Sequence, residues 1–165
     1  MVSLSMVDEK SVREGYKKLT LSLIEKRLTI STMESCTGGQ IASLITDTDG
    51  ASNVLRGAFV TYCDEAKVLN GVSKKIIDEA GVYSKETAEQ MAFSCKKFYK
   101  ADIGIGITGI MSTKKQGTVY FAVCSDKKNI SLKVEIPSFD NRLSYKLFTA
   151  QKILDAVNEV LSVYS

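Results

Sequence analysis

The stretch Ile103-Gly104-Ile105-Gly106-Ile107-Thr108 decides the fold. It is a near-continuous apolar run flanked by glycines, the pattern of a central strand in a sheet covered on both faces. Downstream, Thr118 to Cys124 and Ile130 to Ile136 read as consecutive strands joined by the polar hairpin loop Ser125 to Asn129. Asn141 to Tyr164 then closes the chain as a helix, with Leu143, Leu147, Ala150, Leu154, Val157, Leu161 and Tyr164 alternating by three and four. Upstream, a helix opens at Ser84-Lys85-Glu86-Thr87 and runs to about Lys100. A short helix starts near Ser73, and another opens at Asp64-Glu65-Ala66-Lys67 with Asp64 as its N-cap. Val54 to Tyr62 reads as a strand, Asp47 to Asn53 as a turn, and Gln40 to Ile45 as a helix capped by Thr37. Leu28 to Met33 is a short β-branched buried strand, and Asp8 to Arg27 is a helix with Tyr16, Leu19, Leu23 and Ile24 on one face. The mixture of βα units and one hairpin predicts a three-layer α/β/α single domain, α/β in class, with a mixed, mostly parallel sheet. It spans residues 1–165, with 1–7 expected as a flexible or loosely attached N-terminus.

Composition narrows the chemistry. The chain has 165 residues, 44% hydrophobic and 25% charged, with a net charge of +3. That charge is too small over this length for an electrostatic nucleic-acid binder. Histidine is absent. Triads built on Ser-His-Asp or Cys-His are thereby excluded, as is any metal site that needs imidazole. Cys36, Cys63, Cys95 and Cys124 contain no C-x-x-C pair, which fits free thiols in a reducing cytoplasm better than a zinc site or a disulfide scaffold. Met1 to Lys18 lacks the apolar core of a signal peptide, and no apolar run reaches the roughly 18 residues needed to span a bilayer. The expectation is a cytoplasmic domain without a membrane partner.

Ligands in open α/β sheets collect at the carboxyl ends of strands beside helix N-termini. Three segments qualify: Glu34-Ser35-Cys36-Thr37-Gly38-Gly39, Thr61-Tyr62-Cys63-Asp64-Glu65-Ala66-Lys67, and Thr108-Gly109-Ile110. Ser35 stands where a strand gives way to a helix, with following N–H groups expected to form an anion or oxyanion site and Gly38 and Gly39 allowing close approach. Read locally, the same pattern favours a merely capped, Gly-rich turn over a ligand site. Lys67, in the first turn of its helix, is placed where the macrodipole and burial lower its pKa, as a base toward a serine hydroxyl requires. The blander alternative is a solvated surface lysine, with Tyr62 an aromatic at the edge of the core. Cys36 competes as a nucleophile, since a helix N-terminus favours thiolate. Strand geometry turns it away from Ser35 and favours a structural role. Arg142 is either an anion contact or the partner of Asp140, and Lys114-Lys115 either a phosphate contact or a solvated pair.

Together the segments ESCTGG (34–39), FVTYCDEAKVLNGV (59–72), GVYSKETAEQMA (81–92), GIGITGI (104–110) and GTVYFAV (117–123) resemble the CinA C-terminal domain family, which includes the nicotinamide mononucleotide deamidases. The resemblance implies an amidohydrolase of pyridine nucleotide salvage that converts nicotinamide mononucleotide to nicotinate mononucleotide and ammonia. It implies Ser35 as nucleophile, Lys67 as its base and Tyr62 as an assistant in proton transfer. Thr37, Gly38, Gly39, Thr108, Gly109 and Arg142 would bind substrate, Arg142 through phosphate. It implies no metal and no organic cofactor, a small-molecule nucleotide as partner, and the stand-alone form of a family whose larger members carry an additional N-terminal domain. Self-association into a homo-oligomer stays open.

Two departures bear on activity. The family follows its ITG segment with a Pro/Gly-rich loop, whereas here Ile110 reaches Gly117 through Met111-Ser112-Thr113-Lys114-Lys115-Gln116. The family's G-D-R segment becomes Asp140-Asn141-Arg142, and its second arginine four residues on becomes Lys146. The rival expectation is therefore a domain that keeps the nucleotide pocket, or a protein-interaction surface, without turnover. Nucleic-acid binding ranks below both for lack of a basic, aromatic-interleaved surface.

Overall fold

Every second residue of the middle strand is glycine up to Gly106 because two layers press on it unequally. In the computed structural model, which describes residues 7–165, Ile103–Ile110 is central in a five-stranded sheet. Ile103, Ile105 and Ile107 point to one face and are fully buried. Gly104 and Gly106 face a helix on the other side. A Cβ at Gly104 would stand 2.1 Å from the Ala92 carbonyl oxygen, and one at Gly106 2.1 Å from that of Ala88. Only glycine lets that helix seat its backbone directly on the sheet.

The elements in chain order are α1 (Glu9–Lys26), β1 (Ile30–Glu34), α2 (Gln40–Thr46), β2 (Leu55–Val60), α3 (Asp64–Leu69), α4 (Lys74–Ala80), α5 (Lys85–Tyr99), β3 (Ile103–Ile110), β4 (Gly117–Ser125), β5 (Ile130–Ile136) and α6 (Arg142–Leu161). The sheet order is β2-β1-β3-β4-β5. β1 pairs in parallel with β2 and β3, while β3–β4 and β4–β5 are antiparallel. Only β4 therefore runs against the other strands, and the sheet is mixed and mostly parallel, as expected. Helices α1, α2 and α6 share the main core with the isoleucines of β3. Helix α5 covers the opposite face, where Met33, Met91 and Cys95 pack with Val72 and Ile77. A fully buried aliphatic side chain of this kind contributes about 1.5–3 kcal/mol.

The predicted elements are all present, with boundary differences that have local causes. Helix α3 is capped by Cys63, so Asp64 is its first helical residue, not its cap. Helix α2 is entered through Gly39 in a left-handed conformation (φ 93), not capped by Thr37. The turn at 47–53 contains a single 3-10 turn at Ala51–Asn53. In α6 the buried face is broader than the predicted stripe: Tyr145, Ile153 and Val160 are fully buried, while Leu143 is 49% exposed. Tyr164 lies beyond the end of α6, where its carbonyl accepts from Lys26 Nζ (2.9 Å). All four cysteines are free thiols. Val7, expected as part of a loose terminus, packs against the main core, and the rest of that segment, 1–6, lies outside the described residues. Among the described residues no helix is long and apolar enough to cross a membrane.

Placing a methyl group at Gly106 forces α5 off the sheet. Gly106→Ala is expected to lower stability by about 1–3 kcal/mol, the usual cost of overpacking, read from the midpoint of urea unfolding. An unchanged midpoint would contradict the close helix–sheet seating.

Candidate active site

The site is built at the carboxyl ends of β1, β2 and β3, and its framework is Glu34, the last residue of β1. Glu34 is fully buried. Its carboxylate accepts from the Thr37 hydroxyl (2.7 Å), the Thr32 hydroxyl (3.2 Å), and the N–H groups of Ile41 and Ala42 (3.0 Å each). Two of the orphan donors at the start of α2 are thus satisfied by a carboxylate from the preceding strand, which also opposes the positive end of the helix dipole. The adjoining donors are spent within the turn: Gly38 N–H on Ser35 O (2.9 Å) and Gln40 N–H on Thr37 O (3.2 Å). The open anion site expected from the N–H groups of this turn is therefore largely filled by the chain itself.

Ser35, held between β1 and this turn, is 7% exposed. Lys67 Nζ lies 3.2 Å from Ser35 Oγ and donates to the Thr61 carbonyl oxygen at 2.8 Å. Thr61 is fixed in turn by Glu34, whose main-chain oxygen accepts the Thr61 N–H at 2.8 Å. Lys67 is 2% exposed and makes no ion pair among the described residues. Burial holds its pKa below the ordinary lysine value, opposed by the Asp64 carboxylate and the neighbouring thiols of Cys36 and Cys63. Cys36 is buried, and burial pushes its thiol up to about 12, with the Glu34 charge adding to the effect. A thiol in that state is protonated at neutral pH and is a poor nucleophile.

The dyad opens into a cleft of about 200 Å³, lined among others by Tyr62, Tyr83, Gly109, Met111 and Arg142. Arg142, the first residue of α6, donates to the Met111 carbonyl oxygen and, at 3.2 Å, to the Tyr62 hydroxyl. It forms no ion pair with Asp140. Tyr62 is 64% exposed, and its hydroxyl meets Arg142, not Ser35 or Lys67. Ser35, Lys67, Tyr62, Gly109 and Arg142 thus come together from four separate segments.

Other expected binding residues stand elsewhere. Thr37 is fully buried behind Ser35, bonded to Glu34, and Gly38 and Gly39 form the left-handed turn (φ 63 and 93) away from the cleft wall. Thr108 is also fully buried, its hydroxyl donating to the Val82 carbonyl oxygen at 3.0 Å. Lys114 and Lys115 do not line the cleft. Glu34, Thr61, Met111 and Tyr83 were not singled out by sequence reasoning. Glu34 had a usable signal, an acidic residue directly ahead of a Gly-rich helix start; the other three act through main-chain oxygens or a turn and left none.

The CinA C-terminal domain family description matches residues 13–161. This chain belongs to that family. A CinA-like protein of Flavobacterium psychrophilum is 44% identical over 112 residues, covering 64% of this chain and 27% of that protein. A Caldicellulosiruptor saccharolyticus protein whose name includes "competence-damage inducible protein" is 39% identical over 165 residues, covering 96% of this chain and 39% of that one. The CinA-type chain thus spans well under half the length of these relatives. Among solved structures, a competence/damage inducible protein of Agrobacterium tumefaciens superposes with TM-score 0.78 at 29% identity, covering 90% of this chain and 94% of that one. A CinA superfamily protein of Escherichia coli gives TM-score 0.83 over 93% and 92% at 24% identity, a likeness of fold.

Lys67 is a liability for stability in this CinA fold, since below its folded pKa the protein must bury an ammonium that forms no ion pair among the described residues and is only partly offset by the Asp64 charge. The unfolded chain binds that proton more readily, so this penalty falls as pH rises through the folded pKa. Lys67→Met is expected to melt at a higher temperature than the unmodified protein at neutral pH, with the advantage shrinking as pH rises. An advantage independent of pH would place its source outside the ammonium.

Proposed function

We propose that this domain hydrolyses the carboxamide of nicotinamide mononucleotide, giving nicotinate mononucleotide and ammonia. The observation that carries the reading is the Lys67–Ser35 contact at 3.2 Å, made by a buried lysine whose pKa is lowered. Neutral Lys67 takes the Ser35 hydroxyl proton as Ser35 Oγ bonds to the amide carbon. The resulting ammonium gives that proton to the amide nitrogen, the C–N bond breaks, and ammonia leaves. A nicotinoyl ester of Ser35 remains. Water then attacks the ester while Lys67 accepts its proton and returns it to Ser35 Oγ. Thr61 O holds the amine in place through both halves of the cycle, so the base stays aimed at the same oxygen.

Arg142 supplies the charge at the other end of the substrate. Its guanidinium is set at the cleft by Met111 O and Tyr62, leaving donor capacity for a phosphate. Tyr62 then serves the site by orienting Arg142, a role separate from proton transfer. The competing reading, nucleotide binding without turnover, is favoured by one observation. The cleft of about 200 Å³ is smaller than the usual 300–1,000 Å³ of ligand pockets.

An ammonia-release assay with nicotinamide mononucleotide separates the two. Turnover is expected, rising with pH along a single ionisation below the ordinary lysine value of about 10.4. Ser35→Ala should abolish it with the fold intact, and Lys67→Arg should be nearly inactive because a guanidinium stays protonated. Binding without ammonia release would establish the second reading, and an active Lys67→Arg variant would remove the base role. In calorimetry the riboside, which lacks the phosphate, should bind far more weakly than the mononucleotide, whose affinity should fall with salt. Equal, salt-independent affinities would leave Arg142 a structural residue.

A further inference from the structure

One wall of the cleft comes from the turn between α4 and α5, a segment with no part in the dyad. This turn is unusually well tied. The Ser84 and Thr87 hydroxyls both donate to the Gly81 carbonyl oxygen (2.8 Å each), and the Thr87 N–H donates to Ser84 Oγ (3.1 Å). The next carbonyl oxygen, that of Val82, accepts the buried Thr108 hydroxyl from β3 at 3.0 Å. Three hydroxyls thus fix two successive carbonyls, and the residue that follows them is Tyr83. Its ring is 48% exposed, lines the same cleft as Ser35 and Arg142, and belongs to none of the buried clusters. The fold does not need a large aromatic there. A rigid turn that holds an exposed ring beside a nucleophile is pre-organised for a ligand, since little side-chain or loop freedom is left to lose on binding.

We propose that Tyr83 is a substrate-binding residue whose ring face receives a planar, cationic heteroaromatic ring, and that Thr108 is the positioning residue that sets it. The inference rests on the proposed amidase reading and names how that substrate's base is selected. The pyridine ring of nicotinamide mononucleotide is a pyridinium cation. An aromatic face attracts such a ring through its quadrupole as well as by stacking. Arg142 at the same cleft repels it and attracts the phosphate, so the two ends of the substrate are sorted to different walls. Asp64, the one carboxylate on the cleft wall, adds attraction without regard to ring planarity. Thr108, which the family resemblance assigns to the substrate, acts here through Val82 O.

The test measures binding of nicotinamide mononucleotide by calorimetry in a Ser35→Ala background, where nothing is consumed, beside turnover in the unmodified background. Tyr83→Leu should weaken binding about tenfold, the usual scale for losing a stacking ring, and raise KM with kcat nearly unchanged. Tyr83→Phe should retain both. Thr108→Val should weaken binding in the same direction. The reduced, dihydropyridine form of the nucleotide has no ring charge, so it should bind the parent protein more weakly. That difference should shrink in Tyr83→Leu. Affinity unchanged in Tyr83→Leu while ammonia release persists would overturn this inference and leave the amidase reading standing. A Tyr83→Phe variant as impaired as Tyr83→Leu would assign the effect to the hydroxyl and overturn the stacking role. Absence of both binding and ammonia release in the parent protein would overturn both readings together.

Discussion

The arrangement of the site depends on one buried carboxylate. Glu34 has no exposure to solvent and meets four donors, so its charge is supported at every side. Hydrogen bonds to a charged group are worth about 1.5–3 kcal/mol each, and leaving such a charge buried without them would be far costlier. That requirement dictates the local path. β1 must end with its last side chain turned back toward α2, and the chain must cross Gly38 and Gly39 in left-handed conformation before the helix can begin. Ser35 is the residue caught between these two demands. The main-chain oxygen of the same Glu34 holds Thr61, and Thr61 holds Lys67. One residue therefore sets the surroundings of Ser35 and Lys67, the proposed nucleophile and base, through its side chain and its main-chain oxygen.

The same logic supports the proposal that Ser35, and not the cysteine beside it, is the reactive group. A thiolate would be expected at a free helix N-terminus. Here that terminus is already compensated by Glu34, and Cys36 is buried with its thiol raised to about 12. Lys67 experiences the opposite consequence of burial, a lowered pKa, which suits it to the proposed role of base. Desolvation thus separates the roles of two neighbouring groups: it silences the acid that loses a proton to become charged and activates the base that loses one to become neutral.

Much of this was legible in the sequence because the governing patterns are local. The IGIGIT run, the hairpin at 125–129 and the long stripe of α6 each carry a periodicity that survives without tertiary information, and the element order followed from them. The predicted helix starts at Asp8, Ser84 and Asn141 fall on the residues that cap α1, α5 and α6 in the structure, where their side chains accept from the helix start. What stayed hidden was carried by the main chain or by long-range contact. Thr61 and Met111 act through carbonyl oxygens, which any residue supplies. Thr37 looked like a cap because its type fits one, yet Glu34 from the preceding strand took that work. The family resemblance implies Thr108 as a substrate contact, and its bond to the Val82 carbonyl oxygen is a long-range feature that the sequence does not show. The alternation of glycine in β3 showed a strand but not why it needed glycine, since that reason lies in the backbone of α5.

The central claim is that Ser35, and not Cys36, attacks the substrate with Lys67 as its base. Rapid acid quenching during turnover of nicotinamide mononucleotide, followed by peptide mass spectrometry, tests it most directly. The account predicts a transient nicotinoyl-nucleotide ester on Ser35 that forms faster as pH rises and is absent from Ser35→Ala. An adduct on Cys36, or ammonia release that persists in Ser35→Ala without any adduct, would contradict it.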